Sequence, residues 1–258
     1  MNPLAAKEAW QTFFTEEYLQ FSQAILTPER TKLEVQQLID WLQLPQGARI
    51  LDLGCGQGRI AVPLAQAGYT VTGYDGSGVL LKAAREYAAA AGTEVTFVEG
   101  DMRQLDFEGS FDAVINLGTA FGYLDDERED AAILRRIWRA LRSGGQFLQD
   151  TENREFRLLR LQPRTWEEMN GQPVWSHRQF NSVTGRWRER ITWMGGGELR
   201  ETVLDLRLYT ATELVRLTEA AGLTVRAVYG GLDRSPLTVN SPRMVVWSQK
   251  QEERGVSS

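Results

Sequence analysis

Ile50-Leu51-Asp52-Leu53-Gly54-Cys55-Gly56-Gln57-Gly58 decides the reading of this chain, taken together with Gly73-Tyr74-Asp75-Gly76 one βαβ unit later. An apolar run ends in alternating glycines and passes into Ile60-Ala61-Val62-Pro63-Leu64-Ala65, so a buried strand turns tightly into a helix. A side chain at Gly54, Gly56 or Gly58 would collide with a ligand approaching the backbone, or forbid the turn. The next strand, over 69–74, delivers Asp75 at its carboxyl end, where a carboxylate can accept from both hydroxyls of a ribose. Together these motifs specify a nucleoside.

Spacing narrows the choice. A dinucleotide fingerprint is G-x-G-x-x-G, with a pyrophosphate on the helix N-terminus. Here the third glycine comes one residue early and Arg59 stands where the last glycine belongs. Asp52, two residues before the first glycine, would face a cationic amine better than a phosphate. Asp-x-Gly-x-Gly-x-Gly in this setting resembles the class I S-adenosylmethionine-dependent methyltransferases, small-molecule type, similar to glycine N-methyltransferase. The resemblance implies S-adenosylmethionine as cofactor, held by Asp52, Gly54, Cys55, Gly56, Asp75 and Gly76. Cys55 is then a small filler in the loop rather than a catalytic thiol, because nothing supplies an electropositive niche or a base. An NAD-dependent oxidoreductase and a non-catalytic S-adenosylmethionine-binding protein are the alternatives.

Further matches continue through about residue 151. The strand over 94–99 ends in Gly100-Asp101-Met102, which resembles the adenine-binding corner of that family. The strand over 111–117 ends in Asn116 and Leu117, followed by a loop over 118–124 that should face the reacting methyl group. It lacks the Asn/Asp-Pro-Pro-aromatic pattern of enzymes that methylate nucleic-acid bases or glutamine. Asp125 or Asp126 caps a helix with Ile133, Leu134, Ile137, Trp138 and Leu141 inward, and a strand over 146–150 follows Ser143-Gly144-Gly145.

The flanking segments complete the plan. Aromatics Trp10, Phe13, Phe14, Tyr18 and Phe21 mark an amphipathic helix over 10–26 that is either packed on the core or a lid. Thr27-Pro28-Glu29 opens another, with Leu33, Leu38, Ile39, Trp41 and Leu42 as its apolar stripe. The resemblance suggests Tyr18 and Arg30 for the cofactor's amino-acid carboxylate; an ordinary surface arginine is the other reading of Arg30. From 153 to 208, short strands carry Trp175, Phe180, Trp187, Ile191 and Trp193, read as one packed face and secondarily as an aromatic cage. Tyr123 and His177, the only histidine, are the catalytic candidates.

The expectation is one α/β domain: a Rossmann-like doubly wound sheet of seven strands, the last antiparallel. It comprises a helical lid (1–47), a core (48–152 and 209–249), an antiparallel insertion (153–208) and a tail (250–258). The chain has 258 residues, 42% hydrophobic, with 29 Lys+Arg against 34 Asp+Glu, so no basic field exists to follow a nucleic-acid backbone. One cysteine fits a reducing compartment, and no apolar run reaches the ~18 residues of a membrane span. Met1-Asn2-Pro3 lacks the start of a signal peptide. The expected setting is cytoplasmic, with a small-molecule acceptor and neither nucleic acid, membrane nor metal as partner; the oligomeric state is open.

Overall fold

The computed structural model of the chain describes residues 8–169, 171–195 and 197–252; the side chain of Phe21, one of the aromatics named above, lies outside the described residues. Strands β1 (Arg49–Leu53), β2 (Thr70–Asp75), β3 (Thr96–Glu99), β4 (Phe111–Asn116), β5 (Leu141–Glu152), β10 (Leu223–Tyr229) and β11 (Arg243–Lys250) form a seven-stranded sheet, ordered β10-β11-β5-β4-β1-β2-β3. Strand β11 runs antiparallel to both its neighbours, β10 and β5, and the other pairings of this sheet are parallel. The chain leaves β1 toward β2 and β3, then returns to lay β4 on β1's other side. Between β1 and β4 the loops diverge and leave a crevice at the strands' carboxyl ends.

Helices cover both faces because each presents one apolar stripe. Helix α3 (Pro28–Leu42), capped by the Thr27 hydroxyl with Pro28 in its first turn, buries Val35, Leu38, Trp41 and Leu42. Leu33 is 59% exposed and is not part of that stripe: Thr31 and Val35 take the buried turn on either side of it. Helices α4 (Ala61–Gln66) and α5 (Gly78–Ala90) cover β1 to β3, while α6 (Glu127–Ala140) and α8 (Ala211–Ala220) lie against β4, β5 and β10. Asp126, not Asp125, caps α6, its carboxylate accepting from the Arg128 amide. Trp138 lies outward under the Lys250 ammonium, 4.2 Å away, and Leu141 is already the first residue of β5. That strand is longer than the sequence suggests, since Gly144 (φ 75°) absorbs a register shift instead of ending the strand.

The N-terminal segment is two helices, α1 (Ala9–Phe13) and α2 (Glu16–Ile25), broken at Phe14-Thr15. After β5 and the short α7 (Arg154–Leu159), strands β6 (Arg164–Met169), β7 (Gln172–Asn181), β8 (Arg186–Gly195) and β9 (Glu198–Arg207) form a separate antiparallel sheet. Arg200 Nη1 of β9 meets Glu17 Oε1 of α2 at 2.7 Å, so insertion and N-terminal helices join above the crevice.

Candidate functional site

One cavity of about 600 Å³ opens at the carboxyl ends of β1 to β4, roofed by α1, α2 and the inner face of the antiparallel sheet. Tyr18, Arg30, Asp52, Gly54, Cys55, Gly56, Asp75, Gly76, Asp101, Met102, Leu117 and Tyr123 all line it. Its volume suits a nucleoside cofactor with a small second ligand.

Three acids stand at three strand ends. Asp75 terminates β2, and its Oδ2 accepts from the Gly56 amide and Oδ1 from the Ser77 amide, both at 2.8 Å. The acid therefore shapes the glycine loop while each oxygen keeps a lone pair for a sugar diol. Burial raises its pKa, against those amides. Asp52, inside β1, is buried and its Oδ2 has no partner; burial pushes it up to about 7, with Arg59 opposing. A buried, half-satisfied carboxylate facing a cavity is what an incoming ammonium would complete. Asp101 follows β3. Burial works to raise it, but the Arg103 side chain and amide outweigh that and hold it low.

The glycines have local causes. Gly54 has φ 80°, and a Cβ there would come 2.5 Å from the Ala120 Cβ, so the loop after β4 fits against the loop after β1 only if residue 54 is bare. Cys55 is buried and its thiol is pushed well above its ordinary range by burial, which makes it a packing residue.

Arg30 and Arg59 share Glu34: Arg30 Nε to Oε1 at 2.7 Å and Arg59 Nη1 to Oε2 at 2.6 Å. Both arginines line the cavity, Arg59 close enough to Asp52 to oppose its rise, and with Glu34 between them they leave one net positive charge there. The sequence reading used Arg59 only as an obstacle to pyrophosphate. Its place directly after Gly58 was the signal for more.

Asn116 does not line the cavity. Its Nδ2 donates to the Leu53 carbonyl at 2.8 Å, bracing β1 from behind while Leu117 takes the cavity side. Tyr123 lies within it, edge-on to Phe14 at 5.5 Å between centroids, and Phe14 in turn meets Tyr18 at 5.0 Å. Burial, then Tyr18 and Glu152, raise the Tyr123 hydroxyl, so it stays protonated and can orient a ligand but is a poor base.

His177 does not reach the site. It pairs in register with Arg164 and Arg190, on the face of β7 opposite Val174, Ser176 and Arg178, which line the cavity. The same alternation splits the aromatic set. Trp187, Ile191 and Trp193 share the inner face, whereas Trp175 is 44% exposed outside, beside Trp166. The cavity's second half was missed altogether: an alternating row of Arg243, Glu152, Arg157, Glu189 and Arg178, each within ion-pair distance of the next. Arg243 also grips Asp150 with two bonds, at 2.9 and 2.8 Å, and donates to Thr119 Oγ1 at 2.9 Å, fixing Thr119 at φ 66° beside the cavity. Among the described residues no group of three or more His, Cys, Asp or Glu is placed to hold a metal.

A doubly wound sheet with acids at its first three strand ends around one cavity defines a nucleoside-dependent α/β protein. Comparison with known proteins identifies the family. Residues 50–145 match a family model described as a methyltransferase domain. A ubiquinone biosynthesis O-methyltransferase of Caulobacter sp. (strain K31) is 30% identical over 55% of this chain and 67% of its own length. The cypemycin N-terminal methyltransferase of Streptomyces sp is 29% identical over 80% and 84%. Of two further curated relatives, from Bacillus subtilis (strain 168) and Geobacillus sp. (strain WCH70), the chain spans about half the length, 50% and 44%. Among solved structures, the CcbJ methyltransferase from Streptomyces caelestis shares the fold at TM-score 0.81 and 22% identity, over 95% of this chain and 98% of that one. The chain belongs to the class I S-adenosylmethionine-dependent methyltransferases.

Proposed function

We propose that the protein transfers the methyl group of S-adenosylmethionine to a small, charged acceptor held beneath the antiparallel sheet. The observation that carries this is the convergence of Asp52, Asp75 and Asp101 on one cavity, with a buried Asp52 oxygen lacking a partner. Asp52 would hold the cofactor's ammonium, Arg30 and Arg59 its carboxylate, Asp75 its ribose, and Asp101 with Met102 its adenine. When bound, the cofactor supplies a methyl group on a sulfonium, already activated for in-line displacement.

The protein's part is alignment. Placing a nucleophile about 3 Å from the methyl carbon in a dry pocket supplies on the order of 7–11 kcal/mol; a base adds a factor of about 10² to 10⁴. Tyr18, Tyr123 and the 118–120 backbone shape the space where the nucleophile would lie, and the arginine–glutamate row offers ionic groups to the rest of the acceptor. The roof of α1, α2 and the second sheet suits a small molecule rather than a base still in a polymer. A 23S rRNA methyltransferase of Shewanella sp. (strain MR-7) does match, but over only 72 residues, so its substrate carries no argument here. Among the described residues no helix is long and apolar enough to cross a membrane, and the single free cysteine supports a reducing compartment, the cytoplasm, as the proposed setting.

Calorimetry with S-adenosylhomocysteine and with NAD is the first test: binding of the former alone is expected, and binding of NAD alone would refute the reading. Incubating the protein with methyl-labelled cofactor and a metabolite extract should then move label into a small product. No transfer to any fraction would leave only a nucleoside-binding protein.

A further inference from the structure

The cavity has a contributor from outside the sheet. Trp10, on α1, lines it together with Gly76, Asp101 and Met102. The indole lies directly on Gly76: a Cβ added there would stand 2.5 Å from Trp10 Cζ3 and 2.8 Å from Cη2. Residue 76 immediately follows the acid assigned to the ribose, and the ring that covers it lines the same cavity as Asp101 and Met102, assigned above to the base. This chain has no side chain at 76, and Trp10 fills the position from another part of the sequence.

A chain of polar contacts holds the indole. Trp10 Nε1 donates to Glu8 Oε2 at 2.9 Å, and Glu8 accepts from Arg103 Nη1 at 3.0 Å and Nη2 at 2.7 Å. Arg103 also donates to Asp101 Oδ2 from Nε at 2.9 Å, and to Glu129 at 3.1 Å. The Ser77 hydroxyl, two residues beyond Asp75, donates to the Phe14 carbonyl at 2.8 Å, tying the end of α1 to the end of β2. The pinned aromatic ring, the bare residue beneath it and the acid that could take an exocyclic amine are thus linked through three side chains.

We propose that Trp10 is a cofactor-contacting residue: its indole replaces the missing side chain at Gly76 and forms the wall on which the adenine of S-adenosylmethionine stacks. This rests on the cofactor reading above. Base–aromatic stacking of this kind is worth roughly 5- to 150-fold in affinity when the ring is removed. The pairing with Gly76 makes the claim more specific than general closure of the cavity, because residues 10 and 76 should compensate for one another.

The probe is S-adenosylhomocysteine, titrated by calorimetry into the full chain and its variants. Trp10→Ala should weaken binding within that range, and Trp10→Phe, which keeps an aromatic ring against the core, should retain most of the affinity and of the thermal midpoint. Gly76→Leu alone should weaken binding by displacing the indole, and Gly76→Leu combined with Trp10→Ala should recover affinity over Trp10→Ala. The chain has eight tryptophans. Subtracting the emission of Trp10→Phe from that of the wild type isolates Trp10, whose signal should be quenched on titration. Unchanged affinity in Trp10→Ala overturns the proposal while leaving the cofactor reading intact. Tighter binding overturns it too, showing that the ring plugs the slot, and a wild type that binds no S-adenosylhomocysteine overturns both.

Discussion

Asp52 should make cofactor binding pH-dependent in a range where surface carboxylates no longer titrate. Its carboxyl is raised by burial to about 7, and only the ionised form can pair with an ammonium. With the bound form holding the charge, affinity scales with the ionised fraction of the free protein, about one-eleventh at pH 6, one-half at pH 7 and nine-tenths at pH 8. The dissociation constant for S-adenosylhomocysteine should therefore rise about fivefold from pH 7 to pH 6, and about tenfold from pH 8 to pH 6. Asp52→Asn keeps the shape but has no charge to titrate, so its binding should be weak and flat over that range. The variant assigns the slope, since Asp75 is also raised. The same shift affects stability. A folded pKa of about 7 against an ordinary 3.8 means that the native state binds the extra proton. This group's contribution is thus full below about pH 4 and lost as pH rises through about 7, with a ceiling of about 4 kcal/mol. Calorimetry at pH 6, 7 and 8 on both proteins checks the binding arm, and urea titration of the free proteins checks the other. A wild-type constant that does not move with pH, or an equal slope in Asp52→Asn, would refute the assignment.

Other perturbations probe separate parts of the argument. Tyr209 donates to Asp130 Oδ2 at 2.6 Å, and Asp130 Oδ1 has no partner, so Tyr209→Phe strands the buried carboxyl and should cost about 1–3 kcal/mol, read as a lower urea midpoint at unchanged slope. Arg243→Gln removes the bidentate partner of buried Asp150 and the hydroxyl clamp on Thr119; a loss of about 3–5 kcal/mol in urea stability is expected. His177→Gln should leave both S-adenosylhomocysteine affinity and label transfer unchanged, because the imidazole is on the outer face of β7; a drop in transfer alone would show that face reaching the acceptor.

The nucleoside half was legible because its residues are tied to backbone events that leave a mark in sequence. A bare Gly54 at φ 80°, an acid at the tip of β2 and another after β3 each follow from where a strand must stop. Even there side-chain roles were hidden. Nothing in the order of residues says that Asp75 also accepts from the Gly56 amide, so the acid proposed for the ribose is at the same time a brace for the glycine loop. Asn116 shows the converse, a polar residue at the right strand end whose amide turns back to Leu53.

The charged half of the cavity, proposed above for the acceptor, follows a different logic, and that is why sequence reading missed it. Its row of alternating charges joins Glu152 at the end of β5, Arg157 on α7, Arg178 on β7, Glu189 on β8 and Arg243 on β11, positions related only by register and by the way the second sheet folds over the first. Within the insertion the decisive fact is a parity. Val174 opposes Trp193, so Trp175 and His177 fall outside while Ser176 and Arg178 fall inside, and one residue of slip would exchange the two sets. Turn residues at Asn181 and Gly185 announce a hairpin but not which face of it meets the cavity. That is decided by apolar burial of Trp187 and Leu206 against the core side, which also carries Arg178 and Glu189 inward as a mutually compensating pair. On the proposed assignment, the cofactor's side of the cavity is written in strand termini and the acceptor's side in strand parity, so substitutions confined to the inner positions of β7 and β8 should change acceptor choice while leaving S-adenosylhomocysteine affinity unchanged.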